Sequence, residues 1–577
     1  MKPDLSSDYS LRGFRRRLAH IEALPQFAIL GLASGIVTGL IILLFRSLIE
    51  IPLTWFLPGT GFEGFENLSA IGRFLLPVTG GLALAAILIL IPVRFCRVGV
   101  THVLERLSLH QGHLPLGNAL VQFFAGSLAL MTGQSVGREG PAIHLGAAGS
   151  SLIGHYLKLP HNSTRVLVGC GVAGAISASF NTPLAGVIFS MEVILMEYTM
   201  AGFIPVILSA VTANLIGRLV YVDQFAFSIP DISMNSLYDI PYILVEGLVL
   251  GIVAALFIKL VLLVSQYAPD KLWQRMILAG AFTGTVAVWL PEVMGVGYDT
   301  VNSALTGQLS LVLLIAICLG KLVTSAASVG LGMPAGLIGP TMFIGGAAGG
   351  VFGVIGTIIL PEHASSPGFY VLMGMGAMMG AVLQAPLSAL LAVMELSQNP
   401  GIILPAMLVI VVANLTASQI FGHQSIFLSL LDIQGLKLRY NPISIALNRA
   451  SVASIMERRF ICVPHQIDPE QLLLTLAEDP VWLLVQASDT PSFIMLKEDL
   501  AAYLDDANPS ADTLDLSLLP VVRRKVTSIQ LQATLSEALV TLNEERADAL
   551  YVHMGTHDMA SIAGVLTRQD IESEYQL

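Results

Sequence analysis

Charged residues are almost absent from long stretches of this chain. No Asp, Glu, Lys or Arg lies between residues 166 and 191, and residues 322–431 contain only Glu362 and Glu395. Overall the chain is 54% hydrophobic and 12% charged, whereas charged residues make up about a quarter of a typical soluble domain. Apolar segments of this kind are typical of helices that cross a lipid bilayer. The sequence therefore predicts an all-α polytopic membrane body.

The apolar segments number about a dozen or more, and several are shorter than the roughly 20 residues that cross a bilayer. Many are interrupted by Gly or Pro, which predicts broken helices around a binding site near the bilayer midplane. The segments are 27–48, 74–93, 114–136, 140–157, 166–195, 202–221, 240–266, 276–290, 309–330, 336–360, 368–382, 386–397 and 402–421.

The two ends of the chain differ from this membrane body. Residues 12–17 contain four arginines ahead of the first apolar segment, so the positive-inside rule predicts that residues 1–24 are cytoplasmic. From about residue 443 the pattern changes to short alternating strands and amphipathic helices, which predicts a small cytoplasmic α/β domain over residues 443–577. Neither end has a basic face that would suggest binding to nucleic acid.

The sequence of residues 137–141, Gly-Arg-Glu-Gly-Pro, places the ionisable Glu139 among apolar runs. Such a group is costly at membrane depth and is usually functional there. Pro141 suits the first turn of a helix, and the unpaired amides and dipole of that turn favour an anion. We therefore predict that Glu139 competes with a mobile anion. The alternative is an ordinary helix-start carboxylate on a surface loop.

The membrane body contains an internal duplication. Residues 137–146 resemble residues 336–345, and residues 181–185 resemble residues 384–388. In each copy the second block leads to a glutamate nine residues after its proline, Glu192 or Glu395. We predict repeats over 25–222 and 223–435, with both Gly-Pro turns directed at one point. Chance similarity in Gly-rich membrane sequence is the alternative.

These motifs resemble the CLC family of chloride channels and proton-coupled chloride exchangers. Residues 137–141 match its G-[KR]-E-G-P motif, residues 336–340 resemble its G-x-F-x-P motif, and residues 181–186 resemble the helix start before its cytoplasmic-side glutamate. The resemblance implies an inverted repeat with broken helices and a homodimer in the inner or plasma membrane. It also implies one pathway per subunit for chloride or a similar monovalent anion.

The resemblance further implies that Glu139 is the gating glutamate. The anion-binding positions that it implies are Val98, Gly99, Gly137, Arg138, Glu139, Gly140, Leu337, Ile338 and Phe427.

Three of these positions depart from the family pattern. Val98 stands where a serine hydroxyl would bind the central anion, and Phe427 stands where a tyrosine would close that site. Ile338 replaces the phenylalanine of G-x-F-x-P. We therefore expect backbone amides and helix dipoles to bind the anion, with weaker or looser selection at the central site.

The family's inner proton-accepting glutamate is Val193 in this chain. Valine has no proton to exchange, so channel-like conduction is the favoured prediction. Proton-coupled exchange of chloride, fluoride or nitrate is the alternative, because protons can also enter through water. Glu197 lies five residues further on, but this spacing turns its side chain to a different side of a helix. We predict that Glu192 and Glu395 satisfy helix N-termini instead.

Two other function classes are less consistent with the sequence. A cation channel with a C-terminal domain like the one predicted over residues 443–577 would need carboxylates along its pore. The membrane body has few acids. An enzyme would need a nucleophile–base pair or a cluster of metal ligands, and neither stands out there. We therefore predict no enzyme, no metal site and no required cofactor.

The tail resembles a pair of CBS motifs at about 443–505 and 518–577, with helix caps predicted at Asp468 and Thr534. CBS pairs often bind adenine nucleotides, and Thr567 and Asp570 match ribose-contacting positions. The first copy has leucine in place of that threonine, so the resemblance implies at most one complete nucleotide site. A purely structural dimerisation module is the alternative.

Overall fold

The computed structural model describes residues 18, 23–57, 63–221, 227, 229–230, 232–359, 361–436, 446–486, 491–507, 513–554 and 562–575. The chain divides into two compact units. The larger unit comprises Phe27–Tyr156 and Thr164–Leu438, and the smaller comprises Met1–Gln26, Leu157–Ser163 and Arg439–Leu577.

Helices form almost all of the larger unit. In chain order they are α1 Leu24–Phe56, α2 Ala70–Leu90, α3 Gly99–Leu109, α4 Leu116–Met131, α5 Glu139–Tyr156, α6 His161–Phe180, α7 Pro183–Phe189, α8 Met200–Val220, α9 Ile240–Gln266, α10 Leu272–Trp289, α11 Tyr298–Leu305, α12 Leu311–Gly330, α13 Ile338–Ile359, α14 Pro367–Leu383, α15 Pro386–Ser397, α16 Ile403–Leu415 and α17 Ile426–Ile433. Among the described residues, eight helices are long and apolar enough to span a bilayer. The chain is therefore an integral multi-pass membrane protein, as its composition predicts.

The apolar segment predicted over 166–195 is not one helix. It breaks after α6 at Asn181, whose φ is +61°, and α7 then begins at Pro183. The second half repeats this break at Gln384, whose φ is +55°, before α15 begins at Pro386. A residue close before a proline is hindered from continuing a helix, so the break follows from the local sequence.

The two halves also cap each other's short helices. At the start of α7, the amides of Leu184 and Ala185 donate to the carboxylate of Glu395 at 2.9 and 2.8 Å. At the start of α15, the amide and hydroxyl of Ser388 donate to Glu192 at 2.8 and 2.6 Å. These contacts confirm that both glutamates satisfy helix N-termini.

Glycines bring equivalent helices of each half into close contact. A Cβ on Gly171 of α6 would lie 2.1 Å from the carbonyl oxygen of Gly146 on α5. A Cβ on Gly374 of α14 would lie 2.2 Å from the carbonyl oxygen of Gly345 on α13. Only glycine allows these backbones to approach so closely, and the matching pairs support the predicted duplication.

The smaller unit contains a six-stranded sheet and a two-stranded sheet. Its strands and helices are α18 Val452–Ile455, β1 Phe460–Pro464, β2 Gln466–Ile467, α19 Pro469–Ala477, β3 Trp482–Gln486, β4 Pro491–Leu496, α20 Lys497–Ala507, β5 Leu514–Asp515, β6 Arg524–Gln530, α21 Leu535–Glu544, β7 Ala549–His553, β8 Ile562–Thr567 and α22 Arg568–Tyr575. The strands of the six-stranded sheet lie in the order β1-β3-β4-β6-β7-β8, and the two-stranded sheet pairs β2 with β5.

The six-stranded sheet repeats one pattern twice, as expected for two related copies. The strand pairs β1–β3 and β6–β7 are parallel, whereas β3–β4 and β7–β8 are antiparallel. Both predicted helix caps are confirmed: Asp468 accepts from the amide of Glu470, and Thr534 forms a complete capping box with Glu537.

Candidate functional site

The two Gly-Pro turns meet directly. The amide of Gly137 donates to the carbonyl of Gly336 at 2.7 Å, and the amide of Gly336 donates back to Gly137 at 2.7 Å. A Cβ on Gly336 would lie 2.4 Å from the amide nitrogen of Gly140, so the turns fit together only with glycine at this position. Helices α5 and α13 start at this junction, which confirms that the paired turns converge on one point.

The carboxylate of Glu139 lies at this junction and is fully buried. Its Oε1 accepts a hydrogen bond from the hydroxyl of Tyr298 at 2.6 Å. Its Oε2 accepts from the backbone amide of Gly339 at 3.0 Å. Each carboxylate oxygen therefore has a donor, and the acid is not on a surface loop.

The side chain of Arg138 is engaged in an ion pair. Its Nη1 lies 2.9 Å from Glu50 Oε1, and its Nη2 donates to the carbonyl of Ser179 at 3.2 Å. Arg46 lies 3.1 Å from the same Glu50 oxygen, so the three side chains form a buried charge cluster. The side-chain contacts of Arg138 are therefore those of an ion-pair partner, although the sequence suggests an anion-binding position there.

Glu63, between α1 and α2, contacts the chain at Tyr298, the residue that hydrogen-bonds Glu139. Its Oε2 accepts from the backbone amide of Tyr298 at 2.6 Å and from that of Asp299 at 3.2 Å. Burial, together with the nearby Asp299 carboxylate, raises the pKa of Glu63 above its ordinary value. Glu63 therefore fixes the start of α11, the helix that begins at Tyr298.

A cavity of about 520 Å³, which we call the vestibule, lies beside the junction. Six of the predicted anion-binding residues line it, namely Val98, Gly99, Gly140, Leu337, Ile338 and Phe427. The other three, Gly137, Arg138 and Glu139, form the first turn of the junction. The structure therefore brings the nine predicted positions into one region.

The vestibule has no hydroxyl at either position where the family pattern expects one, since these residues are Val98 and Phe427. The amide of Gly99 donates to the side-chain oxygen of Gln122 at 2.8 Å. The amide group of the same Gln122 donates to the carbonyl of Pro334 at 2.8 Å. Gln122 therefore ties the Gly99 loop to the second half of the molecule, and no sequence motif indicates this role.

Two buried histidines adjoin the vestibule. His102 lines the cavity, and its Nδ1 lies 2.8 Å from Nε2 of His144. The Nδ1 atom of His144 is buried and has no hydrogen-bond partner among the described residues. The pair joins two helices far apart in sequence, α3 and α5, so sequence spacing alone does not reveal it.

The remaining predicted positions lie elsewhere. Val193 is buried in the π-helical turn Ser190–Leu195, where its side chain is aliphatic. In the smaller unit, the amide and hydroxyl of Thr567 donate to Asp570 Oδ2 at 2.8 and 2.7 Å. These two residues therefore adjoin each other at the start of α22, and their predicted contact with ribose stays a prediction.

The fold and the junction define a class of protein: an integral membrane protein in which two helix starts converge on a buried acid. A family model described as "Voltage gated chloride channel" matches residues 81–418, more than half of the chain. The chain belongs to this family, the CLC family of anion transport proteins.

Curated relatives match at moderate identity. A "Putative chloride channel protein ClcB-like" of Ralstonia nicotianae is 31% identical over 63% of this chain and 87% of the relative. An "H(+)/Cl(-) exchange transporter ClcA" of Vibrio parahaemolyticus is 30% identical over 54% of this chain and 68% of the relative. The matches therefore include proteins named as a channel and as an exchanger.

Solved structures share the fold at lower identity. A slow cyanobacterial Cl⁻/H⁺ antiporter has a TM-score of 0.63 at 21% identity and covers 71% of this chain and 98% of its own. A CLC-type fluoride/proton antiporter has a TM-score of 0.59 at 19% identity with the same coverage. A eukaryotic CLC transporter has a TM-score of 0.54 at 16% identity and covers 96% of this chain and 98% of its own.

Proposed function

We propose that this protein conducts chloride, or a similar monovalent anion, across the membrane through a pathway gated by Glu139. The observation that carries the proposal is the position of the Glu139 carboxylate, which is buried where two helix starts meet. A carboxylate and a halide are both anions, so the donors that bind the one can bind the other. The names of the curated relatives support chloride as the transported anion.

In this mechanism the gate is closed when the carboxylate occupies the junction. Protonation of Glu139 removes its charge and weakens the hydrogen bonds from Tyr298 and Gly339, because bonds to an ionised acceptor are the stronger ones. The side chain can then leave, and an anion from the vestibule can enter. The dipoles of α5 and α13 stabilise that anion without a formal positive charge.

We favour channel-like conduction because of Val193. An exchanger must pass protons as well as anions, and the position of the usual inner proton acceptor holds an aliphatic side chain. Protonation of Glu139 would then change the open probability of the pathway without coupling proton flow to anion flow.

Proton-coupled exchange is the second candidate, and the His102–His144 pair favours it. One ring of this pair lines the vestibule, and the partner ring is carried by α5, the helix that begins with Glu139. Nδ1 of that partner ring, His144, is buried and has no hydrogen-bond partner among the described residues. In an exchanger, this nitrogen is the candidate atom to receive the proton that Val193 cannot.

The reversal potential of the reconstituted protein under a pH gradient distinguishes these candidates. For a channel it follows the anion gradient alone, and for a coupled exchanger it shifts with pH. If it shifts, His144→Gln should reduce the shift, whereas the control His155→Gln should not, because His155 packs on His113 instead. The proposed function as a whole would be contradicted if the protein showed neither current nor flux with chloride, nitrate or fluoride.

A further inference from the structure

The hydroxyl missing from Val98 and Phe427 has a counterpart elsewhere in the pathway. Tyr298 Oη donates to Glu139 Oε1 at 2.6 Å, at the point where the two repeats meet. Tyr298 belongs to none of the repeated motifs, and it follows a short segment with glycines at 295 and 297.

Several contacts fix the position of this hydroxyl. Gly297 has a φ of +84°, a conformation that favours glycine, and it turns the chain into α11. The amide of Tyr298 is held by Glu63, and its ring packs edge-on against Phe227 at 5.0 Å between centroids. The guanidinium carbon of Arg138 lies 5.0 Å from the centroid of the ring. The ring is buried, so its hydroxyl is directed by packing.

The space around the Glu139 carboxylate is shaped by glycines. A Cβ on Gly137 would lie 2.3 Å from Glu139 Oε2, and a Cβ on Gly339 would lie 3.1 Å from the same atom. Two donors, the Tyr298 hydroxyl and the Gly339 amide, therefore point into a space bounded by backbone. When the carboxylate leaves, both donors remain directed at that space.

An empty space would leave the Tyr298 hydroxyl buried without an acceptor, and a buried polar group without a partner is costly. Among the contacts of the described residues, the one hydrogen bond made by this hydroxyl is the bond to Glu139. An anion that replaces the carboxylate restores that bond. Whether the carboxylate or an anion occupies this space, the same two donors therefore bind an anionic acceptor.

We propose that Tyr298 is an anion-binding residue of the pathway, which donates to Glu139 in the closed state and to the transported anion in the open state. This inference rests on the proposed function, since it requires that Glu139 leaves the junction. It assigns the anion-binding hydroxyl of this protein to the start of α11, instead of to the loop at Val98 or the helix at Phe427.

A calorimetric titration tests this assignment, in which chloride is added to the purified full-length protein in lipid nanodiscs. In the Glu139→Ala variant no carboxylate competes, and we expect chloride to bind more tightly than in the unmodified protein. In the double variant with Tyr298→Phe, we expect the affinity to fall on the order of ten-fold below that of Glu139→Ala, since a hydrogen bond to a charged group is lost. The phenylalanine ring keeps the packing against Phe227, and size-exclusion chromatography checks that each variant is folded.

Tyr242→Phe in the Glu139→Ala background is the matched control. Tyr242 is a partly buried tyrosine whose hydroxyl donates to the carbonyl of Phe352 at 2.7 Å, so we expect unchanged affinity. Equal affinities of Glu139→Ala with and without Tyr298→Phe would overturn the role of Tyr298, as would an equal loss in the control. If Glu139→Ala binds chloride no more tightly than the unmodified protein, the proposed gate itself is wrong.

Discussion

The two Gly-Pro turns have the same backbone geometry and different chemistry. The first turn carries the charged pair Arg138 and Glu139, and the second carries the apolar pair Leu337 and Ile338 at the corresponding positions. The turns pair symmetrically through Gly137 and Gly336. The first turn thus provides the tethered acid, and the second provides a backbone amide that binds it.

The duplication provides the backbone geometry that both turns share, whereas the charged side chains are provided by the first copy alone. The shared geometry brings two helix starts to one point, and under the proposed function this frame binds either the carboxylate or a mobile anion. In the proposed function, the acid of the first copy competes with the mobile anion for this site. Tyr298 lies outside both repeated motifs. The backbone is therefore symmetric at the junction, whereas the proposed gating depends on side chains that only one copy carries.

Disrupting the shared frame should have the largest effect. In Gly336→Ala the new methyl group would lie 2.4 Å from the backbone nitrogen of Gly140, so we expect the junction to separate and anion flux to be lost. Flux from liposomes with matched protein content measures this. Gly217→Ala is the control, since its nearest neighbour would be 3.7 Å away. Normal flux in Gly336→Ala would contradict the tight pairing of the turns.

Neutralising Glu139, the acid that only the first turn carries, should have the next largest effect. In Glu139→Gln the side chain keeps its size but cannot ionise, so we expect altered gating and an anion flux that no longer depends on pH. The measurement is chloride efflux at two pH values. Glu362→Gln, which changes an exposed acid in the second half, should keep the normal pH response. An unchanged pH response in Glu139→Gln would exclude its role as the gate.

The reciprocal caps should behave alike, because the two copies are equivalent there. Glu192→Gln and Glu395→Gln each weaken the charged acceptor of a short helix, and we expect each to lower the stability by about 1–2 kcal/mol. Thermal unfolding in detergent provides the comparison. A loss of transport in Glu192→Gln but not in Glu395→Gln would show that Glu192 has a further function.

The smallest effect is expected in the smaller unit, which also contains two copies. Thr534 forms a two-sided capping box, whereas Asp468 provides one cap bond. We expect Thr534→Ala to destabilise this unit by about 1 kcal/mol, and Asp468→Ala to destabilise it less. Thr475→Ala, at an exposed hydroxyl within α19, is the control. A larger loss for Asp468→Ala would reverse the expected order of the copies.

The sequence predicts the frame of this protein well, because repeats and helix breaks are local patterns. The junction of the turns, the burial of Glu139 and the capping by Glu192 and Glu395 all follow from motifs and their spacing. The break at Asn181 lies inside one apolar segment, and only the helix-start motif over residues 181–186 marks it in the sequence. The left-handed backbone conformation of Asn181 becomes evident only in the structure.

The residues that complete the site are not predictable in this way. Tyr298 contacts Glu139, Gln122 contacts Gly99 and His102 contacts His144 across 159, 23 and 42 residues of sequence, and each contact is made through tertiary packing. Glu50, which pairs with Arg138, resembles any other glutamate near a helix end. Their chemistry becomes evident only when the distances between them are known.

The most direct test of the account is the position of a bound halide. Crystals of Glu139→Ala soaked in bromide should give an anomalous peak between the Gly339 amide and the Tyr298 hydroxyl, where the carboxylate oxygens lie in the unmodified protein. The unmodified protein at high pH should show no peak there. A bromide at that position beside an undisplaced Glu139 carboxylate, or no bromide there in Glu139→Ala, would contradict competition between the acid and the anion for one site.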